Sequence, residues 1–314
     1  MTLTRRHFLS GAAVAATGLV YPAIAHPSRD IITESKVSLY NAYRPQQIAA
    51  EMGSDIFMRP ASYVGVRLKC LVDVSGSIAE NENIQEYTLQ KYGIAAALRS
   101  EEVKAAIQSQ GGIAFSLTEF HNQPLPRIPW ALLQSEEDVD VMSNLVQNMP
   151  IFYDRKGTGI AGGLASALTD FQTCIHTGAR SVLDVSGDGA DNESAYSYID
   201  GNEEVIIPEY MAVSNAAERL WQAGVTCNAI ALPTDNNSNL PPGIATVEEY
   251  YRRFVITPRN TTFTDEFGFA SPLRAGFTMS VNRWEDFQAA MTEKLRLEII
   301  GQRPPQFLPR TLPT

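Results

Sequence analysis

Five oxygen-bearing residues stand out for what they could hold together. The stretch LVDVSGSI places Asp73, Ser75 and Ser77 at alternate positions just past an apolar run. At the end of a β-strand that spacing can turn three oxygens toward one point. Thr158 sits in KGTGIAGGL, and Asp188 in the tight Gly-Asp-Gly turn of VSGDGADN. Two carboxylates and three hydroxyls are hard donors, suited to Mg2+, Mn2+ or Ca2+ rather than to a thiolate-bound metal. Asp-x-Ser-x-Ser alone says little, because Asp and Ser are common turn formers. Its weight comes from Thr158 and Asp188, which fall on two further strand-end loops of the kind that converge on one edge of an α/β sheet. Thr158 lies 81 residues after Ser77 and 30 before Asp188, so only folding can join them. Ser186, Asp191 and Asn192 are close enough in sequence to support such a site or simply to cap the next turn.

These loops need strands and helices to carry them. VGVRLKCLVD (64–73), IAFSLTEF (113–120), SVLDVS (181–186) and VTCNAIAL (225–232) read as buried strands. Between them helices are expected over 81–108, 136–148, 159–173, 209–223 and 283–300. Ile84, Tyr87, Ile94 and Leu98 form one stripe at 3.6-residue spacing in the first of these. Prolines between Pro124 and Pro129 restrict that passage to an edge strand or a loop. Apolar strands alternating with helices predict an α/β fold: a doubly wound, mostly parallel, Rossmann-like sheet covered on both faces. The domain is expected over 64–300, after an arm at 26–63 and before a proline-rich, extended tail at 301–314.

The three loops, in this order on this framework, resemble the metal-ion-dependent adhesion site (MIDAS) of the von Willebrand factor A (vWA) domain. The resemblance implies that Ser75, Ser77 and Thr158 ligate the ion directly while Asp73 and Asp188 act partly through water. It also implies that engagement of Thr158 accompanies tight binding. The stretches LQKYGIAAALRSEEV, RSVLDVSGDGADN, AGVTCNAIAL and VEEYYRRFVI resemble an exported bacterial vWA-like family of undefined function, across about 64–300. The segment from Glu193 to Glu209 is longer and more acidic than that resemblance leads one to expect.

Competing chemistries are weaker. Gly157-x-Gly159-x-x-Gly162 matches a dinucleotide fingerprint, with Asp184 downstream as the would-be ribose partner. That motif needs a buried strand directly before it, and Phe152-Tyr153-Asp154-Arg155-Lys156 is too charged for one. Nucleophilic catalysis lacks material: beyond His7 the chain has only His26, His121 and His176, and no Gly-x-Ser-x-Gly elbow. Of these, only His121 follows a strand at the functional edge, where it reads as a rim residue. Cys70 and Cys227 read as packed thiols, and Cys174 as a possible partner for one of them.

The first 25 residues read as an address. Thr4-Arg5-Arg6-His7-Phe8-Leu9, a weakly apolar Ala-rich run and Ala23-Ile24-Ala25 form a signal peptide of twin-arginine type. Its loss removes two arginines and no acid, leaving 23 basic against 35 acidic residues, a net charge of −12. An acidic chain repels a phosphate backbone, so nucleic acid is set aside, and no transmembrane span is expected after cleavage. With 44% hydrophobic residues in 314, the chain has ample material for a core. The expected function is a periplasmic, non-enzymatic binding module whose metal captures a carboxylate of a partner protein. The alternative is a metal-dependent hydrolase in which the same ion activates water. Against it, Glu193 is the only Glu or His within the three loops.

Overall fold

The computed structural model describes residues 43–79, 84–150, 157–200, 203–234, 239–257 and 276–304. The leader, residues 26–42 of the arm, 152–156 and the tail beyond 304 lie outside them. The strands are β1 (Tyr63–Asp73), β2 (Ile113–Phe120), β3 (Pro124–Leu133), β4 (Thr177–Gly187), β5 (Tyr196–Asp200), β6 (Glu203–Ile207), β7 (Val225–Ala231) and β8 (Thr278–Ser280). Six of them form one sheet in the order β3-β2-β1-β4-β7-β8, and β5 and β6 pair separately. Every pairing in the large sheet is parallel except β2–β3. The prolines of β3 explain its place: without N–H donors at 124, 126 and 129 it can serve only as an edge.

The helices are α1 (Pro45–Glu51), α2 (Gly76–Ala79), α3 (Ile84–Arg99), α4 (Glu101–Ser109), α5 (Glu136–Gln147), α6 (Ile160–Thr173), α7 (Glu209–Gln222), α8 (Val247–Tyr250) and α9 (Phe287–Ile300). The single helix expected over 81–108 is in fact α3 and α4. The break falls at Ser100, whose extended backbone and hydroxyl, accepting from Val103 N, start a new helix. Side-chain alternation along the parallel strands feeds two cores. Val66, Leu68, Cys70 and Val72 pack with Tyr87, Ile94, Met142, Phe287 and Leu295 under α3, α5 and α9. Leu71, Leu183 and Val185 pack with Leu164, Phe171, Val213 and Tyr251 on the other face, under α6 and α7. Ile84 lies on the predicted stripe, but its side chain is outside the described residues. Residues 45–56, within the expected arm, place Ala49 and Ile56 in the first core. Cys70 and Cys227 are buried free thiols, and Cys174 is free as well.

One buried charge cluster ties α9 to the sheet. Lys294 Nζ lies 2.5 Å from Asp184 Oδ1 and 2.7 Å from Glu298 Oε1, with Asn228 Nδ2 donating to Glu298 at 2.9 Å. One ammonium cannot neutralise two carboxylates. Burial, and then the charge of Asp184, push Glu298 up to about 8. Its folded value is therefore above the unfolded one, near 4.3. The stability tied to its proton is present below that value and is lost as pH rises through about 8. Glu298→Gln is thus expected to flatten the fall in stability between about pH 5 and 9, a difference on the order of a few kcal/mol by urea unfolding. A parallel decline in both proteins would assign the proton elsewhere.

Candidate metal centre

β1 and β4 are parallel neighbours, with Val72 opposite Ser186, so their carboxyl ends deliver Asp73 and Asp188 side by side. The chain then bends. Ser75 N–H donates to Asp73 Oδ1 at 2.8 Å, which turns the Ser75 and Ser77 hydroxyls inward, 3.2 Å apart. Ser77 Oγ donates to Asp188 Oδ1 at 2.8 Å. Thr158 joins through its backbone: its N–H donates to Asn192 Oδ1 at 2.8 Å, and Asn192 N–H donates to Thr158 O at 2.9 Å. A Cβ built on Gly189 would stand 3.9 Å from Thr158 Oγ1, so the threonine hydroxyl faces the Asp188 turn. All five residues named from the sequence lie at this edge. Ser75, Ser77, Thr158 and Asp188 line one cavity of about 420 Å³, and Asp73 lies beneath it, fully buried.

Two buried acids share this edge. Asp73 is pushed well above the usual carboxylate range by burial first and by Asp188 second. Burial raises Asp188 too, against the Ser77 hydrogen bond that lowers it. Asp73 Oδ2 is buried without a hydrogen-bond partner, and among the described residues no Lys or Arg forms an ion pair with either acid. Two close carboxylates, one with a buried bare oxygen, beside three hydroxyls fit a hard divalent cation.

Supporting residues sort themselves by geometry. Asp191 caps α6: Ala161 N–H donates to its Oδ2 at 2.8 Å, and Glu193 N–H, Ser194 N–H and Ser194 Oγ bind its carboxylate too. Asn192 laces the second loop to the third. Ser186 acts through a residue that sequence reasoning missed, Gln90. The Gln90 amide, wholly buried, donates to Asp73 O at 2.9 Å and accepts from Ser186 Oγ at 2.8 Å, clamping the ends of β1 and β4 together. A signal was present, since Gln90 falls between Tyr87 and Ile94 on the buried stripe of α3, where a polar residue needs a polar partner. Tyr251 was missed as well. It opens a π-helical turn, Tyr251–Val255, and its hydroxyl is buried without a hydrogen-bond partner. A Cβ on Gly187 would stand 2.5 Å from that hydroxyl and 2.8 Å from Asp73 Oδ2, so glycine alone lets the phenol and the carboxylate approach.

The competing motifs take structural roles. Asp184 points into the Lys294 cluster, away from any ribose. Gly159 is required because a Cβ there would lie 2.9 Å from His121 O. His121 itself is buried, its Nδ1 bonded to Asn122 Oδ1.

A family model described as a protein of unknown function (DUF1194) matches residues 63–303. The chain belongs to this family. No curated protein matches it. Among solved structures, proximal thread matrix protein 1 from the mussel byssus matches at 16% identity and TM-score 0.50, over 77% of this chain and 50% of that one. A second structure of that protein, with a zinc-occupied MIDAS motif, matches at 17% identity and TM-score 0.50, over 77% and 49%. A von Willebrand factor type A structure from Catenulispora acidiphila matches at 12% identity and TM-score 0.48, over 75% and 42%. The DUF1194 chain spans about half the length of the mussel protein. Its fold is that of the vWA domain, an α/β sheet of six mostly parallel strands between helices.

Proposed function

We propose that this DUF1194 protein is an exported protein-binding module whose metal centre captures an acidic residue of a partner. The observation that carries this is Asp73 Oδ2, a buried carboxylate oxygen left bare beside Asp188 and three hydroxyls. Asp73, Ser75, Ser77, Thr158 and Asp188 would hold Mg2+, or Mn2+ or Ca2+, and the cation would offer a position for an incoming carboxylate. Zinc in the MIDAS motif of the mussel protein, which shares the fold, supports a divalent ion here. The protein's own part is to hold the oxygens still. Ser75 N–H and Gln90 fix Asp73 at both its side chain and its carbonyl, and Asn192 fixes Thr158. Asp188 is the only ionisable residue lining the cavity among the described residues, so the site offers little to shuttle a proton, which favours binding over hydrolysis.

Thr158→Ala keeps the turn but removes one oxygen. In calorimetry with Mg2+ present, binding of an Asp-containing peptide is expected to weaken by ~1–3 kcal/mol. Binding that is undiminished both in chelator and with Thr158→Ala would defeat the reading, as would metal-dependent hydrolysis that Asp73→Ala abolishes.

Export to the periplasm through the twin-arginine route is part of the same proposal, supported by the Arg5-Arg6 leader. No helix among the described residues is long and apolar enough to cross a membrane. Arg5→Lys with Arg6→Lys is expected to hold the precursor in the cytoplasm, while the exported form begins near His26. Cell fractionation showing normal export of the double variant would exclude that route.

A further inference from the structure

Directly after the third loop of the metal centre, the chain runs out into the β5–β6 hairpin. Among the described residues its strands pair only with each other, with Tyr196 opposite Ile207, Tyr198 opposite Val205 and Ile199 opposite Glu204. Such a ribbon is marginal in water unless something covers an apolar face. Yet Ile199 and Ile206 are 69% and 68% exposed, and Tyr196 and Tyr198 about half exposed at 50% and 48%. The two isoleucines are diagonal neighbours on one face, and the two tyrosines share the other. Exposed apolar side chains gathered in this way, rather than scattered singly, mark a contact surface.

Charge indicates what covers it. From Glu193 to Glu209 the chain carries Glu193, Asp200, Glu203, Glu204 and Glu209 and no Lys, Arg or His. A second copy would set these acids against themselves, and an anionic lipid surface would be repelled for the same reason. A protein surface with lysine or arginine around apolar side chains satisfies both the bare isoleucines and the acids. The base of the hairpin also meets the rim of the metal centre: the Glu193 carboxylate stands against Gly157, the residue before Thr158.

We propose that the hairpin selects the partner. The protein whose carboxylate enters the metal centre lays a basic, apolar surface on the Ile199/Ile206 face. This rests on the reading of the centre given above and deepens it. Flanking bases also resolve an electrostatic conflict, since a bare carboxylate approaching five acids would be turned away, whereas one framed by lysines is drawn in.

The test uses the full chain and a synthetic peptide of alternating Lys and Ile with one central Asp. One control peptide carries Glu in place of Lys, and another carries Asn in place of the Asp. Fluorescence anisotropy in Mg2+ is expected to show binding of the Lys–Asp peptide and none of the Glu peptide. Ile199→Ser with Ile206→Ser should weaken that binding by about tenfold or more, with the Mg2+ titration unchanged. Glu203→Gln with Glu204→Gln should weaken it several-fold and reduce its dependence on salt. Metal-dependent binding that ignores the isoleucine pair would overturn the hairpin proposal and leave the metal reading standing. Hairpin-dependent binding that survives chelator and the Asp→Asn change would overturn the metal reading and support the surface. No binding by any peptide would overturn the proposal. So would a dimer in sedimentation that the isoleucine substitutions dissolve, because a second copy would then own the face.

Discussion

Asp73→Asn is expected to abolish Mg2+ and Mn2+ binding and, in chelator, to make the protein more stable than wild type. The two effects have one cause. The Asp73 carboxylate is fully buried, one of its oxygens lacks a hydrogen bond, and Asp188 adds a like charge across the centre. Without a cation that arrangement opposes folding, and with one it is the source of affinity. The amide keeps the oxygen that accepts from Ser75 N–H and places a donor near the Tyr251 hydroxyl, so the fold loses little. A gain of about 1–3 kcal/mol is expected in metal-free unfolding. In wild type, added metal should raise the melting temperature, while in the variant it should do nothing. Asp188→Ala should also lose the metal and keep the fold, since Asp188 follows the last core position of β4. Calorimetry that finds unchanged metal affinity in Asp73→Asn would remove Asp73 from the site. A lower melting temperature in chelator would show that its charge is not a burden.

Gly187→Ala is expected to be nearly as damaging, although it adds one methyl group and touches no proposed ligand oxygen chemically. That methyl would stand 2.5 Å from the Tyr251 hydroxyl and 2.8 Å from Asp73 Oδ2. Both side chains are completely buried, so neither can swing into solvent to make room. Displacement of the Asp73 carboxylate should cost about 10–100-fold in metal affinity, the usual effect of disturbing a ligand's support. Crowding should cost a further ~1–3 kcal/mol of stability. Tyr251→Phe removes the nearest oxygen, so Gly187→Ala with Tyr251→Phe should recover part of both losses. The two substitutions should therefore couple in a double-mutant cycle. Additive effects would show that Gly187 and Tyr251 do not share the space around Asp73.

Much of the architecture could be read from residue patterns. Parallel strands buried on both faces are mostly apolar, and 64–73, 113–120 and 181–186 are so despite Lys69, Glu119 and Asp184, so the sheet and its loop-bearing edge followed. The prolines of 124–129 narrowed that passage to an edge strand or a loop because a missing N–H is a local property, and the fold made it an edge strand. The break at Ser100 was less visible, since the apolar stripe continues past it and only the serine's cap distinguishes two helices from one.

The candidate metal centre divides the same way. Asp73, Ser75, Ser77, Thr158 and Asp188 could be named from the chain because their chemistry is carried by residue type and by position at strand ends. Of the residues that hold them, Ser186, Asp191 and Asn192 were candidates in the sequence, while Gln90, Tyr251 and Gly187 were not. Gln90 and Tyr251 reach Asp73 from α3 and from the turn after α8, and Gly187 matters only for what a side chain would strike. Such contacts depend on which surfaces the fold presses together, and linear spacing does not encode that. The acidity of 193–209 was plain in the sequence, but whether Ile199 and Ile206 were buried or bare was decided by the fold, which leaves both exposed in a ribbon paired separately from the large sheet. Residue type set the chemistry available to this protein, and tertiary packing decided which groups meet, which are deprived of water and which are left exposed.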